Sequence, residues 1–137
     1  MRTTDLPVPW ERLNGETFPA QLKELSRAHQ DRIFHPVDAG TFIFSIQASA
    51  AHTSIPAAAV PPAEVNAWEV VIFDGDGRQL VETTDPELIS LPREWVRYWT
   101  DGIGRYVPTA VVRVVIQRFT LGPEHFDRFI LEGSEPD

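Results

Sequence analysis

The sequence predicts an α+β fold of two layers, in which a three-stranded antiparallel meander is packed by an N-terminal and a C-terminal helix. Three features carry this prediction: an alternating segment, an apolar segment followed by an Asp-Gly turn, and amphipathic segments on either side. The expected strands are Thr41–Ser49, Ala67–Phe73 and Arg78–Thr83. The expected helices are Phe18–Phe34 and Thr109–Phe119, which would cover one face of the sheet.

The first predicted strand alternates between apolar and polar residues, a period of two that places every second side chain on one face. The residues expected on its buried face are Phe42, Phe44, Ile46 and Ala48. The second strand is apolar on both faces, which indicates a central position in the sheet. Because Val71 and Phe73 would otherwise be exposed, we expect the 50–66 loop or a second copy of the chain to cover them.

Turn and helix signals complete the fold prediction. Asp76-Gly77 is typical of a type I′ hairpin turn, which needs positive φ at both central residues. The apolar stripe of the first helix is Phe18, Leu22, Leu25 and Ala28. The segment at 109–119 is rich in valine, which favours a strand, but its polar residues recur every four positions, so a helix is expected. Shorter helices are expected after Asp85-Pro86, over Pro92–Thr100 and over Pro123–Leu131.

The length of 137 residues predicts a single globular domain over residues 1–137. Residues 1–16 are expected to form an extended arm, because prolines at 7 and 9 disfavour a helix, and residues 132–137 an acidic tail. The chain has no apolar stretch of about 18 residues, and its first ten residues lack the apolar core of a signal peptide. No membrane association and a cytoplasmic location are therefore expected.

Acidic and basic residues are segregated along the chain. The net charge is −8, which disfavours nucleic-acid binding because phosphates are bound through an excess of lysine and arginine. Residues 35–88 contain eight acidic residues and one arginine, whereas residues 89–121 contain five arginines and two acidic residues. This arrangement indicates a surface that binds a protein partner, or a second copy of the chain, through opposite charges.

The connection Ala50–Asn66 is a candidate ligand or catalytic loop. Seventeen residues exceed what a hairpin requires, and long loops in small domains are often functional. The loop contains His52, Thr53 and Ser54, which can transfer protons and form hydrogen bonds. The competing interpretation is a polar turn before a proline-rich segment that covers the sheet. No third member of a catalytic triad can be assigned from the sequence.

Other motifs argue against a metal or a cofactor. Cysteine is absent, and the four histidines have no spacing typical of a metal site. The sequence Asp74-Gly75-Asp76-Gly77 fails the calcium-loop pattern at its fifth and sixth positions, so a hairpin turn is the better interpretation. Gly102-Ile103-Gly104 lacks the third glycine of a dinucleotide-binding loop. We therefore expect neither a metal nor a cofactor.

Arginines alternate with aromatic residues between positions 93 and 106, a composition common at protein interfaces. The candidate binding residues are Arg93, Arg97 and Arg105. The alternative is a helix in which Trp95 and Trp99 face the protein core while Arg93 and Arg97 form the exposed face.

Two functional hypotheses follow. The first is a non-catalytic, small, acidic, cytoplasmic interaction protein that binds a protein partner or itself, comparable by class analogy alone with regulators, immunity proteins and antitoxins. The second is a small-ligand-binding domain or small enzyme that uses His52, Thr53 and Ser54. Nucleic-acid binding through residues 93–106 is a weaker third possibility because of the overall charge. The sequence contains no catalytic signature, which favours the first hypothesis.

Overall fold

The computed structural model describes residues 13–120, which form a mixed α+β structure with two antiparallel sheets. The larger sheet has five strands in the order β3-β4-β5-β7-β6, and the smaller one is the hairpin β1–β2. The strands are β1 Glu24–Ala28, β2 Asp31–Phe34, β3 Val37–Ala39, β4 Phe42–Gln47, β5 Ala67–Phe73, β6 Trp99–Thr100 and β7 Ile103–Pro108. The helices are α1 Phe18–Gln21, α2 Pro86–Ile89, α3 Arg93–Val96 and α4 Thr109–Thr120, with a 3₁₀ turn at Pro62–Glu64.

The α+β class, the strands β4 and β5 and the helix at 109–120 agree with the sequence prediction. Strand β5 is central, since it pairs with β4 on one side and with β7 on the other. The inner face of β4 and β5 is fully buried, and α4 lies against it, where the Phe119 ring meets Phe42 and Phe44 edge to face. This packing of one helix against one face of the sheet forms the hydrophobic core.

The predicted helix Phe18–Phe34 is wrong. The helix ends at Gln21, because Leu22 already has extended backbone angles, and residues 24–34 form the β1–β2 hairpin. Of the predicted stripe, Phe18 and Leu22 are buried, whereas Leu25 is 39% exposed. The apolar residues of the predicted stripe keep helical spacing beyond Leu22, but a helix there would have nothing to pack against. Residues 24–28 instead pair with β2 as a strand.

The predicted third strand, Arg78–Thr83, is also wrong. A turn does form at residues 74–77, but only Gly77 has positive φ, so it is not a type I′ turn. The returning chain makes a single bridge, between Phe73 and Gln79, and then turns away. The actual partner of β5 on this side is β7, a strand that the glycines at 102 and 104 concealed in the sequence.

Glycine at 104 has a packing role in β7. A Cβ at this position would lie 2.8 Å from the ring of Trp99, which is buried on the neighbouring strand β6. The predicted helix over Pro92–Thr100 is correspondingly shorter than expected: α3 ends at Val96, and Trp99 begins a strand. The predicted helix over Pro123–Leu131, the acidic tail and most of the N-terminal arm lie outside the described residues.

The β1–β2 hairpin holds the start of the long loop and its interior together. The Arg32 guanidinium donates to the carbonyl oxygens of Ala48 and Val60, both at 2.6 Å, and thereby joins the chain before the loop to the interior of the loop. Gln30, in the turn of the hairpin, also bonds two parts of the loop. Its backbone carbonyl accepts from the N–H of Ala50, and its side-chain oxygen accepts from the N–H of Ala59 at 2.9 Å. Arg32 is only 2% exposed, and this burial lowers its pKa.

A second polar cluster fixes the hairpin after β5. The Arg78 guanidinium binds the Asp85 carboxylate through two contacts, the shorter being 2.7 Å, and the backbone N–H of Val81 donates to the same carboxylate. The Arg78 guanidinium beside Asp85, and then the Val81 N–H, hold the pKa of that carboxyl below its ordinary value. Asp74, at the start of the turn, is also lowered in pKa, chiefly by the backbone N–H of Arg78.

We expect Phe44→Ala and Ile72→Ala each to lower the free energy of unfolding by about 2–5 kcal/mol, because both side chains are fully buried. Urea denaturation measures this loss. The exposed Thr83→Ala is the control, with an expected change within about 0.5 kcal/mol. A loss below about 1 kcal/mol in both core variants would contradict the assignment of this face to the core.

The Asp85 cluster predicts a pH dependence of stability. A carboxyl whose pKa is lower in the folded state stabilises the protein above its unfolded-state pKa, and that stability is lost as the pH falls through the lowered value. Stability should therefore decline from about pH 5 downward, and the decline should be shallower in Asp85→Asn. Urea denaturation between pH 7 and pH 3 tests this, with the exposed Asp76→Asn as the control; equal slopes in all three proteins would refute it.

Candidate functional site

The face of the five-stranded sheet opposite α4 is the main candidate site, and we call it the open face. Strand pairing places its residues: Asp38, Ile43 and Phe73 lie in one row across the sheet. Ser45, Val71 and Ile103 form the next row, and Tyr98 and Arg105 lie beyond it. Every one of these side chains is half-buried, in contrast to their fully buried neighbours on the inner face.

At the end of the open face where Gln47 lies opposite Glu69, hydrogen bonds tie the sheet to neighbouring segments. The Gln47 side chain accepts from the backbone N–H of Phe34 at 2.8 Å and donates to its carbonyl at 3.0 Å, which ties β4 to β2. Glu69, opposite Gln47, accepts from the backbone N–H and the hydroxyl of Thr53 at 2.9 and 3.0 Å. The open face is therefore bounded at one end by these contacts.

The structure separates the three predicted loop residues. His52 is half-buried, and its Nδ1 lies 2.7 Å from the hydroxyl of Ser49. Thr53 is held on Glu69, as described above. Ser54 is buried, and its hydroxyl donates to backbone carbonyls, including that of Pro56 at 3.1 Å. Thr53 and Ser54 thus stabilise the loop, and His52 is the member of the three with an exposed fraction that a ligand could reach.

The Ser49–His52 pair has the distance of a nucleophile and its base. However, Ser49 is 0% exposed, and its hydroxyl also accepts from the backbone N–H of Ala51 at 3.2 Å. The backbone N–H of His52 donates in turn to the Ser49 carbonyl, so the pair closes a tight turn. The geometry accounts for a stable turn and leaves the hydroxyl without access to a substrate.

A bulge in β7 brings the loop and the arginine segment together. Arg105 and Tyr106 both oppose the single residue Glu69 of β5. Tyr106 has φ of +53°, a region that a residue with a Cβ rarely adopts, and its side chain is 51% exposed. Its backbone N–H donates to the Thr53 carbonyl at 3.1 Å. The chain from Glu69 through Thr53 therefore holds an exposed tyrosine in a strained conformation.

The three predicted arginines occupy different positions. Arg93 and Arg97 are exposed on and after α3, and Arg97 lies over the Tyr98 ring at 5.1 Å and donates to its hydroxyl. Arg105 donates to the Thr100 carbonyl at 3.2 Å. None of the three forms an ion pair with a residue in the described part of the chain. Arg97 and Arg105 both lie beside Tyr98, whereas Arg93 is a turn of helix away.

Several carboxylates of the acidic segment 35–88 already form hydrogen bonds or ion pairs within the chain. Glu69, Asp74 and Asp85 are engaged as described above. Glu82 accepts from the backbone N–H groups of Asp101 and Gly102, both at 2.9 Å. Burial opposes ionisation of Glu82, but these N–H donors outweigh it and lower its pKa. The segregation of charge in the sequence therefore overstates the charge that is free to meet a partner.

Two grooves lie away from the open face. The larger, of about 720 Å³, runs between α1, the 3₁₀ turn and the start of α4, and its lining combines prolines and other apolar residues with Glu16, Thr109 and Arg113. The smaller, of about 280 Å³, is lined by residues close to both ends of the described chain. Neither groove is lined by His52, Thr53, Ser54 or the predicted arginines, so the sequence did not anticipate either.

Several residues of the site were missed by the sequence analysis. Asp38 and Ile103 were not candidates, because β3 was not recognised as a strand and the position of β7 depends on its pairing with the distant strand β5. Ser49 and Glu69 were read as strand residues with no further role. The short run of apolar and polar alternation around Ile103 was the available signal for β7.

Replacing Tyr106 tests the strain at the bulge. Glycine accepts positive φ without a Cβ clash, so Tyr106→Gly should be more stable than Tyr106→Ala by about 1 kcal/mol. Both variants lose the ring, so the difference isolates the backbone, and thermal or urea unfolding measures it. An alanine variant as stable as the glycine variant would contradict the strain.

Residues 13–120 contain no group of three His, Asp or Glu side chains that could hold a metal ion. In the same range, no helix combines the length and the apolar character needed to cross a membrane. Comparisons with family models, curated proteins and solved structures found no match to this chain.

Proposed function

We propose that this is a non-catalytic interaction protein that binds a protein partner, or a second copy of itself, through the open face. One observation carries the proposal: Ile43, Val71, Phe73 and Ile103 form a contiguous apolar group that remains partly exposed on the central strands. A face of this kind, with polar residues at its edge, is typical of a protein-binding surface.

The residues at the edge of the open face support the same function. Tyrosine and arginine are enriched among residues that dominate binding energy, because each combines a large contact area with hydrogen bonding. Tyr98 and Arg105 stand side by side here, and Arg97 is stacked on Tyr98. These arginines have no carboxylate partner among the described residues, so they are available to an acidic group on a partner.

The alternative function, a small-ligand site or small enzyme at His52–Ser54, has less support. Ser54 and Ser49 are buried and engaged in turn hydrogen bonds, which leaves His52 without an accessible hydroxyl partner in the described loop. Nucleic-acid binding is disfavoured by the net charge of −8. The proposal includes a cytoplasmic location, and it compares the protein with regulators, immunity proteins and antitoxins only as a class.

A charge placed in the middle of the open face should abolish binding. We expect Val71→Glu to remove self-association, or retention of a partner, because a carboxylate buried in an apolar interface loses its hydration. Sedimentation equilibrium between about 10 µM and 1 mM, together with affinity capture from a host extract at low salt, measures both.

Ile89→Glu is the matched control, since it makes the same type of change at an exposed isoleucine on α2. It should behave like the unmodified protein. A strictly monomeric protein that retains no partner at low salt would refute the proposed function, as would full binding by Val71→Glu.

A further inference from the structure

Charges are ordered across the open face, and this order bears on the identity of its partner. Asp38 lies on β3, at one edge of the sheet, and Arg105 lies on β7, near the opposite edge. The apolar group of the open face lies between them. The order is therefore acidic, apolar, basic, and such a surface can be complementary to itself when one copy is rotated against another.

We propose that the occupant of the open face is a second copy of this chain, packed face to face about a two-fold axis that places each Asp38 against Arg105 of the other copy. This inference rests on the proposed function and specifies its partner. A two-fold interface repeats each contact twice, so one complementary pair of residues supplies two ion pairs. These pairs lie at the rim, where opposite charges fix the orientation of the partner more than they add affinity.

The positions of the two charges determine the direction of the axis. Asp38 and Arg105 are three strand spacings apart, about 14 Å, and their rows differ by the four residues from Phe73 to Glu69, about 13 Å. Exchanging them requires an axis on the diagonal of the sheet, through the region of Ser45 and Val71. The strands of the two copies then cross at nearly a right angle, which is one of the two preferred ways for sheets to pack.

Other axes would place like charges together or leave them unpaired. An axis perpendicular to the strands, lying in the plane of the sheet, would set each Asp38 over the same edge of the second copy, which is unfavourable. An axis parallel to the strands would place Asp38 beyond the start of β7, level with residue 101 and four residues before Arg105. The diagonal arrangement alone joins the carboxylate with the guanidinium in both halves of the interface.

Both charged groups are free to take a new partner. Asp38 accepts one hydrogen bond, from the backbone N–H of Gly40 at 3.0 Å, and has further acceptor capacity. Arg105 donates to one carbonyl, that of Thr100. The nearest acidic neighbour of Arg105 on the sheet, Glu69, is instead bonded to Thr53 and makes no ion pair with it.

The size of the face sets the expected affinity. The five strands have between two and seven residues each and together offer an area of about 400 Å², which is below the 800 Å² per partner of a standard stable interface. The dimer should therefore be weak, with a dissociation constant in the micromolar range or above. Measurements must reach about 1 mM, since a dilute sample would contain mainly monomer.

Charge reversal tests the pairing. Asp38→Arg and Arg105→Glu should each raise the dimer dissociation constant roughly tenfold or more, because each places like charges in contact twice. An equimolar mixture of the two variants should associate again, since both contacts then become attractive, and the double variant should self-associate like the unmodified protein. Sedimentation equilibrium measures each dissociation constant, and circular dichroism and thermal unfolding check that every variant is folded.

The controls make the same charge changes away from the open face. Asp76→Arg alters the exposed hairpin turn and Lys23→Glu alters an exposed position before β1, and neither should change the dissociation constant. Loss of association in the single variants with no recovery in the mixture would overturn the proposed pairing. So would association that the single reversals leave unchanged.

The outcome also distinguishes this inference from the proposed function. If Val71→Glu abolishes association but the charge reversals do not, the open face is the interface and the proposed orientation is wrong. If the unmodified protein stays monomeric at 1 mM yet retains a partner that Val71→Glu loses, the second copy is not the occupant and the interaction function stands.

Discussion

The architecture depends on the packing of a single long helix, α4, against one face of the five-stranded sheet. In residues 13–120, α4 is the one helix of more than four residues, and it can bury only one face of a five-stranded sheet. Strand β5 is apolar on both faces, so the face turned away from α4 keeps Val71 and Phe73 partly in contact with water. Burying apolar surface is favourable at about 25 cal/mol per Å², which makes a partner for this face an energetically favourable addition.

The charges on this face would orient such a partner. Arg78, Glu69 and Glu82 are engaged within the chain and fix turns and loops. Asp38 and Arg105 are left with spare hydrogen-bonding capacity on the same face of the sheet. Internal polar contacts thus stabilise the fold, whereas Asp38 and Arg105 are placed where they could select among the ways in which a partner docks.

The sequence predicted the segments whose structure is determined locally by their own periodicity. The alternation at 41–49, the apolar run at 67–73 and the four-residue repeat of polar groups in α4 all correspond to observed elements. The β1–β2 hairpin was missed because the helical spacing of Phe18, Leu22 and Leu25 runs into it. Strand β7 was missed because its partner β5 is distant in sequence, and glycines at 102 and 104 resemble a linker until the Trp99 contact is known. The open face was anticipated only as Val71 and Phe73 in need of a cover; its charged edges required the strand order.

The closure of the long loop by Gln30 and Arg32 links two parts of the chain that are far apart in sequence. The start of the loop and its interior are both bonded to the hairpin, so a fluctuation that detaches β1–β2 also loosens the loop. The arrangement of Thr53 on Glu69, and through it the conformation of Tyr106, is therefore coupled to a hairpin that touches neither residue through a hydrogen bond. A ligand that bound this hairpin would act on the bulge at a distance.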